Sequence, residues 1–117
     1  MAPKNNLPVA LTIAGSDSGG GAGLQADLRV FQAAGVHGTS VVTAITAQTP
    51  KKVLGIEPVK PAVVLRQLES VFAANKPKAA KTGMLLSAGV VECVAEFFGG
   101  KNSPPLVVFP LPLLIYL

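Results

Sequence analysis

A run of glycines between two apolar segments is the strongest chemical signal in the sequence. Residues 15–23 read GSDSGGGAG, in which five of nine residues are glycine and three are Ser or Asp. A loop that leads from a strand into a helix offers unpaired backbone N–H groups and the positive end of the helix dipole. Glycines also let the backbone approach a bound molecule closely. We therefore predict a ligand-binding loop here.

Two familiar nucleotide-binding motifs do not match this loop. The Walker motif requires Lys and then Ser or Thr after its last glycine, whereas Gly20 is followed by Gly21 and Ala22. The dinucleotide fingerprint, counted from Gly19 and Gly21, requires a third glycine where Leu24 stands. A merely flexible loop is the alternative interpretation.

Short apolar segments alternate with segments of helical periodicity. Strands are predicted at 9–14, 39–46, 53–56, 79–82 and 106–109. One helix is predicted from residue 24 to near Gly35, a second from Pro61 to before Pro77, and a third after Ser87, its N-cap, to Phe98. This alternation predicts βαβ units, and hence an α/β sandwich with a parallel sheet and right-handed crossovers.

Composition and charge narrow the class of protein. The 117 residues are 50% apolar and 14% charged, which suits a buried core and excludes intrinsic disorder. The net charge of +4 comes from scattered cations with few aromatic residues, so no nucleic-acid partner is expected. Cys93 is the only cysteine, which excludes an intrachain disulfide, and we interpret it as a half-buried structural thiol. We expect a cytoplasmic protein without a membrane partner, because no secretory signal or membrane span is visible.

Four stretches of the sequence agree in order and spacing with the motifs of one enzyme family. They are ALTIAGSDSGGGAGLQADL at 10–28, GTSVVTAITAQT at 38–49, KTGML at 81–85 and LVV at 106–108. Together they resemble the phosphomethylpyrimidine kinases of thiamine biosynthesis, over residues 9–108. The resemblance implies an α/β fold, namely the ribokinase-like three-layer sandwich with a mainly parallel sheet.

The resemblance also implies a reaction and its participants. The family transfers phosphate from ATP to 4-amino-5-hydroxymethyl-2-methylpyrimidine, and then adds a second phosphate to the monophosphate. The intact family enzyme uses ATP and Mg²⁺, and its partner is the small aminopyrimidine. The resemblance leaves open whether that enzyme forms a homodimer.

Carried over position by position, the resemblance assigns residues to the substrate. It places Gln48 at the edge of the pyrimidine, where an amide can pair with both the exocyclic amine and a ring nitrogen. Lys81 is a candidate phosphate contact, and no catalytic residue or metal ligand is carried over. The other expected substrate-binding residues are Gly15, Gly21, Ala22, Asp27, Thr46 and Met84.

Each of these assignments has a purely structural alternative. Gln48 and Lys81 would then be solvated surface residues, and Met84 would only pack in the core. Asp27 would be an exposed helix residue that balances the charge of Arg29.

The agreement with the family ends after Val108. A DPVM block is expected there, but Phe109 replaces its acidic residue, and 109–117 form an aberrant apolar tail with two prolines. We expect residues 1–117 to be the N-terminal part of a single kinase domain, truncated after about its first half, with a flexible N-terminus at 1–8. The ATP site would then be missing, so we expect neither tight cofactor binding nor phosphoryl transfer by this fragment alone.

Two further functions stay open at this stage. One is a non-catalytic module that binds the pyrimidine or associates with another subunit. The other is a different ribokinase-like enzyme, such as a pyridoxal kinase. Gln48 within TAQT and the KTGM block favour the aminopyrimidine.

Overall fold

The computed structural model describes residues 6–109. The flexible N-terminus expected at 1–8 lies outside this range up to residue 5, and the expected aberrant tail lies outside it from residue 110. The elements are β1 (Val9–Ala14), α1 (Gly23–Ala33), β2 (His37–Val42), β3 (Ala44–Gln48), β4 (Val53–Pro58), α2 (Pro61–Ala74), β5 (Ala79–Thr82), α3 (Ala88–Phe97) and β6 (Leu106–Val107).

Four parallel strands form the main sheet, in the order β2-β1-β5-β6. The central strand β1 pairs with β2 from Val9 opposite His37, and with β5 from Ala10 opposite Ala79. A strand that is paired on both sides and covered on both faces is mostly apolar, which explains the run VALTIA with Thr12 as its one polar side chain. The predicted parallel sheet is confirmed.

Helix ends follow the local signals in the sequence. Gly35 has a φ of 74° just beyond α1, and its N–H donates to the Gln32 carbonyl. Pro61 occupies the first turn of α2, where its missing N–H costs no hydrogen bond. Ser87 caps α3, since its Oγ accepts from the Val90 N–H at 3.2 Å.

The two faces of the sheet are covered by different helices, which gives three layers. Leu11 and Ile13 of β1, both fully buried, pack against α2 and α3 through Val64, Leu68 and Val90. Helix α1 covers the opposite face, toward which the alternate residues of β1 point. The glycine-rich loop between β1 and α1 therefore leaves the sheet at the carboxyl end of its central strand.

The single strand expected at 39–46 is wrong. Strand β2 ends at Val42, and β3 begins at Ala44 and pairs antiparallel with β4 in a separate two-stranded ribbon. Thr43 lies between them, fully buried, and its hydroxyl donates to the Met84 carbonyl at 2.5 Å. A run rich in β-branched residues therefore contains the point at which the chain leaves the main sheet and enters the ribbon.

A side chain occupies the outer edge of β2 where that strand ends. The Gln67 Oε1 accepts from the Val42 N–H at 2.8 Å, and its Nε2 donates to the Val42 carbonyl at 2.9 Å. This amide takes the place that a peptide group of a further strand would occupy.

Two smaller expectations have different outcomes. The strand expected at 106–109 covers only Leu106–Val107. Cys93 is half-buried, as expected, and burial together with the carboxylates of Glu96 and Glu69 raises the pKa of its thiol.

Within residues 6–109, no helix has the length and apolar character that a bilayer span requires.

Replacing Leu68 by Ala should destabilise the fold. Leu68 is fully buried in the core on α2, so the lost packing and the cavity should lower the free energy of unfolding by about 2–5 kcal/mol. The matched control is Leu65→Ala on the same helix, where the side chain is 38% exposed and the loss should stay under about 1 kcal/mol. Urea denaturation of both variants checks this, and equal losses would contradict the assigned core.

Candidate functional site

The glycine-rich loop folds around the carboxylate of Asp17. Asp17 Oδ1 accepts from the Gly19 N–H at 2.8 Å, and Oδ2 accepts from the Ala22 N–H at 2.7 Å. The Gly20 N–H donates to the Asp17 backbone carbonyl at 2.9 Å. The expectation of unpaired N–H groups is therefore wrong for Gly19, Gly20 and Ala22, because the chain supplies its own anion to them.

These contacts set the charge state of Asp17. Partial burial raises the pKa of its carboxyl, but the Gly19 and Ala22 amides and the Gln48 side chain outweigh that effect. The pKa of Asp17 therefore lies below its usual 3.8, and the side chain is a carboxylate at neutral pH.

The β3–β4 ribbon is tied to this loop by two serines. Ser18 Oγ accepts from the Gln48 N–H at 2.8 Å and donates to the Gln48 carbonyl at 2.9 Å. The Thr46 hydroxyl donates to the Ser16 carbonyl at 2.6 Å, and the Thr46 N–H donates to Ser16 Oγ at 3.1 Å. Thr46 and Gln48 are thereby held beside the loop.

Two glycines permit the close packing of this region. Gly23 has a φ of 62°, and a Cβ there would lie 2.6 Å from the Gly15 carbonyl oxygen. A Cβ on Gly15 would lie 2.6 Å from the Cε methyl of Met84. The Met84 methyl group therefore occupies the space that a side chain at residue 15 would take.

An ion pair crosses from the sheet to α1 at the same place. Lys81 Nζ lies 2.9 Å from both carboxylate oxygens of Asp27, and the Thr12 hydroxyl donates to Asp27 Oδ2 at 2.7 Å. The Arg29 guanidinium instead donates to the Gly20 carbonyl. The alternative in which Asp27 balances Arg29 is therefore wrong.

These groups surround a cavity of about 430 Å³. Of the predicted site residues, Gly21 is the one that does not line it, although it lies in the same loop. The wall also includes Ser16, Val53 and Phe109, which the sequence did not indicate. The predicted residues that the structure brings together are Gly15, Ala22, Asp27, Thr46, Gln48, Met84 and Lys81.

The residues that were missed differ in how visible they are in the sequence. Asp17 stands two residues before Gly19, and an Asp that accepts from the N–H two residues on is a recognised turn signal. No local signal in the sequence places Phe109 on the cavity wall. Its position depends on distant contacts: its N–H donates to Thr82 Oγ1 at 3.2 Å, and its ring centroid lies 5.7 Å from Lys81 Nζ.

A second, more apolar cavity of about 490 Å³ adjoins the first. Gly83, Met84 and Phe109 line both cavities, and Leu85 and Val91 line only the second. The first cavity is thus the more polar of the two, and it alone contains the loop and the ion pair.

The acidic residues of the described range do not form a preformed metal cage. No group of three or more His, Cys, Asp and Glu converges within residues 6–109. Asp17 accepts from the loop amides, and Asp27 accepts from Thr12 and Lys81. We derive no metal-dependent step from these residues.

Comparison with known proteins identifies the family. The family model for phosphomethylpyrimidine kinase matches residues 17–113. The chain belongs to the phosphomethylpyrimidine kinase family. It is 48% identical over 107 residues to a hydroxymethylpyrimidine/phosphomethylpyrimidine kinase of Haemophilus influenzae, a match that covers 92% of this chain and 40% of that protein.

Solved structures of this family and of similar kinases share the fold. The phosphomethylpyrimidine kinase of Clostridium difficile is 46% identical with a TM-score of 0.82, and the match covers 86% of this chain and 44% of that one. The Staphylococcus aureus pyridoxal kinase in complex with pyridoxal is 36% identical with a TM-score of 0.80, over 91% of this chain and 40% of that one. The expected ribokinase-like fold is confirmed. The chain spans about 40% of the length of these relatives.

Acid should weaken the fold through Asp17. Because its pKa is lowered in the folded chain, the carboxylate adds stability that is fully present above its usual 3.8 and is lost as the pH falls through the lower folded value. Asp17→Asn, which cannot titrate, should show a flatter decline in the urea midpoint from about pH 5 downward than the unsubstituted chain.

The exposed carboxylate of Glu57 on β4 provides the control for this measurement. Glu57→Gln should keep the pH dependence of the unsubstituted chain. A profile of Asp17→Asn that follows the unsubstituted chain would show that the loop does not depend on the charge of Asp17.

Proposed function

We propose that the 430 Å³ cavity binds an aminopyrimidine, 4-amino-5-hydroxymethyl-2-methylpyrimidine or its monophosphate. The whole protein then phosphorylates this substrate with ATP in thiamine biosynthesis. Membership of the phosphomethylpyrimidine kinase family supports the reaction, and the residues that line the cavity support the substrate.

The position of Gln48 is the observation that carries the proposal. Both backbone groups of Gln48 are bonded to Ser18 Oγ, so its side chain leaves a fixed point on the wall of the cavity. A side-chain amide has two N–H donors and a carbonyl acceptor. Such an amide can donate to a ring nitrogen and accept from the exocyclic amine of the same ligand.

The rest of the wall suits a small flat heterocycle. The volume of the cavity lies within the range of about 300–1,000 Å³ that is usual for small-molecule sites. Met84, Val53 and Phe109 supply apolar surface, and the thioether of Met84 adapts to a flat ring. Gly15 and Ala22 present backbone rather than bulky side chains.

The ion pair supplies the polar end of the site. Lys81 has three N–H donors, and its bonds to Asp27 leave it 28% exposed on the cavity wall. We assign its remaining donor capacity to the hydroxymethyl oxygen or to the phosphate of the monophosphate. Asp27 keeps the ammonium in place and offsets its charge while the site is empty.

Two other functions have a specific observation in their favour. The likeness to the pyridoxal kinase of S. aureus favours pyridoxal as the ligand, but its identity of 36% is below the 46% of the C. difficile phosphomethylpyrimidine kinase. A non-catalytic, pyrimidine-binding role is supported by the cavity that the described residues enclose.

Calorimetric titration of this chain with 4-amino-5-hydroxymethyl-2-methylpyrimidine tests the proposal. Gln48→Ala removes the hydrogen bonds to the ring and should weaken binding by about ten- to a hundredfold, since each unpaired polar group costs roughly 1–3 kcal/mol. Gln32→Ala is the matched control, because Gln32 is exposed on α1 and away from the cavity. Binding of pyridoxal without binding of the pyrimidine would overturn the proposed substrate.

A further inference from the structure

A fully buried hydroxyl lies beneath the ion pair of the cavity. Thr12 is in the middle of β1, has no exposed surface, and stands directly opposite Lys81 of β5 in the parallel register. Residues that face each other in register on neighbouring strands point to the same face of a sheet. Thr12 and Lys81 therefore both point toward α1, where Asp27 lies.

The hydroxyl of Thr12 has a definite partner. A buried hydroxyl that makes no hydrogen bond costs free energy, and Val would fill the same volume without that cost. Thr12 donates to Asp27 Oδ2 at 2.7 Å, and both oxygens of this carboxylate also accept from Lys81 Nζ. The hydrogen bond thus joins β1 to α1 and ends on the group that holds the ammonium.

The hydrogen bond limits where the carboxylate can turn. Asp27 and Lys81 keep 19% and 28% of their side-chain surface exposed, so water competes for both of them. The four-carbon stem of Lys81 allows its ammonium to take several positions. Thr12 is fully buried in the sheet, and its hydrogen bond restricts one oxygen of Asp27, which in turn restricts the ammonium.

We propose that Thr12 is a positioning residue of the substrate site: through Asp27 it holds the Lys81 ammonium where an oxygen of the ligand binds. The role in ligand binding rests on the proposed function, whereas the coupling of Thr12 to Lys81 does not. The ligand group recognised in this way is a hydroxymethyl or phosphate oxygen at the polar end of the cavity.

The coupling is measured first without ligand, by NMR of the ¹⁵N-labelled lysine ammonium groups. Lys81→Met identifies the Lys81 signal by its loss. Thr12→Val should speed the exchange of the Lys81 ammonium protons with water about three- to tenfold, because the carboxylate is no longer fixed. Thr12→Ser, which restores the hydroxyl, should return the rate to within about twofold of the original. An unchanged rate in Thr12→Val would overturn the coupling.

The role in binding is measured by titration with the pyrimidine monophosphate. Thr12→Val should raise the Kd about three- to tenfold and Thr12→Ser should restore it. The matched control is Thr39→Val on β2, whose hydroxyl donates to the Ala10 carbonyl at 2.9 Å and does not line the cavity, and this variant should keep the original Kd.

A double substitution separates positioning from general stability. In a Lys81→Met chain, Thr12→Val should have no further effect on the Kd, because the ammonium that Thr12 positions through Asp27 is gone. An equal effect in both backgrounds would show that Thr12 only stabilises the fold and would overturn the proposal. If Thr12→Val does not fold, Thr12→Cys replaces it, since its thiol is a weak donor.

The two proposals fail in different ways. A chain that binds neither pyrimidine would overturn the proposed function, and the exchange rates would still decide whether Thr12 controls Lys81. A chain that binds normally after loss of the Thr12 hydroxyl would overturn the positioning role alone.

Discussion

The shape of the site depends on one carboxylate that the chain encloses in its own loop. A run of glycines has a large conformational entropy, and a ligand would have to order it on binding. Asp17 orders it in advance, because its two oxygens hold the amides of Gly19 and Ala22. Ala22 is also the residue before α1, so the same contact fixes where that helix begins. The amides that first suggest an anion site are thus part of the scaffold of the cavity.

The cavity then has two supports that do not share residues. The loop and the β3–β4 ribbon are joined through Ser16 and Ser18, and they position Thr46 and Gln48. The sheet and α1 are joined through Thr12, Asp27 and Lys81. The first support carries the groups that would contact the ring under the proposed function, and the second carries the Lys81–Asp27 ion pair. Recognition of a heterocycle and recognition of its oxygen substituent can therefore change independently, which suits a fold whose relatives are named for pyrimidine and for pyridoxal kinases.

Local sequence determines some of these features and distant contacts determine the others. Strands β1 and β5 match the predicted bounds of 9–14 and 79–82, because a buried strand that ends at glycine is visible in the sequence itself. The division at Thr43 was not predictable, since its β-branched neighbours suit a strand throughout and the change depends on partners far along the chain. The pairing of Asp27 with Lys81 joins residues 54 positions apart. Pairing of Asp27 with Arg29 could have been rejected, because residues two apart on a helix do not face each other.

The amide of Gln67 on the edge of β2 has a consequence for how this chain behaves in a crowded solution. An edge strand with free N–H and C=O groups is a template on which another chain can add a strand, which is a common route to aggregation. At Val42 that template is already used, because Gln67 bonds to both backbone groups. At Val42, the carboxyl end of β2 is therefore closed to strand addition by a single side chain.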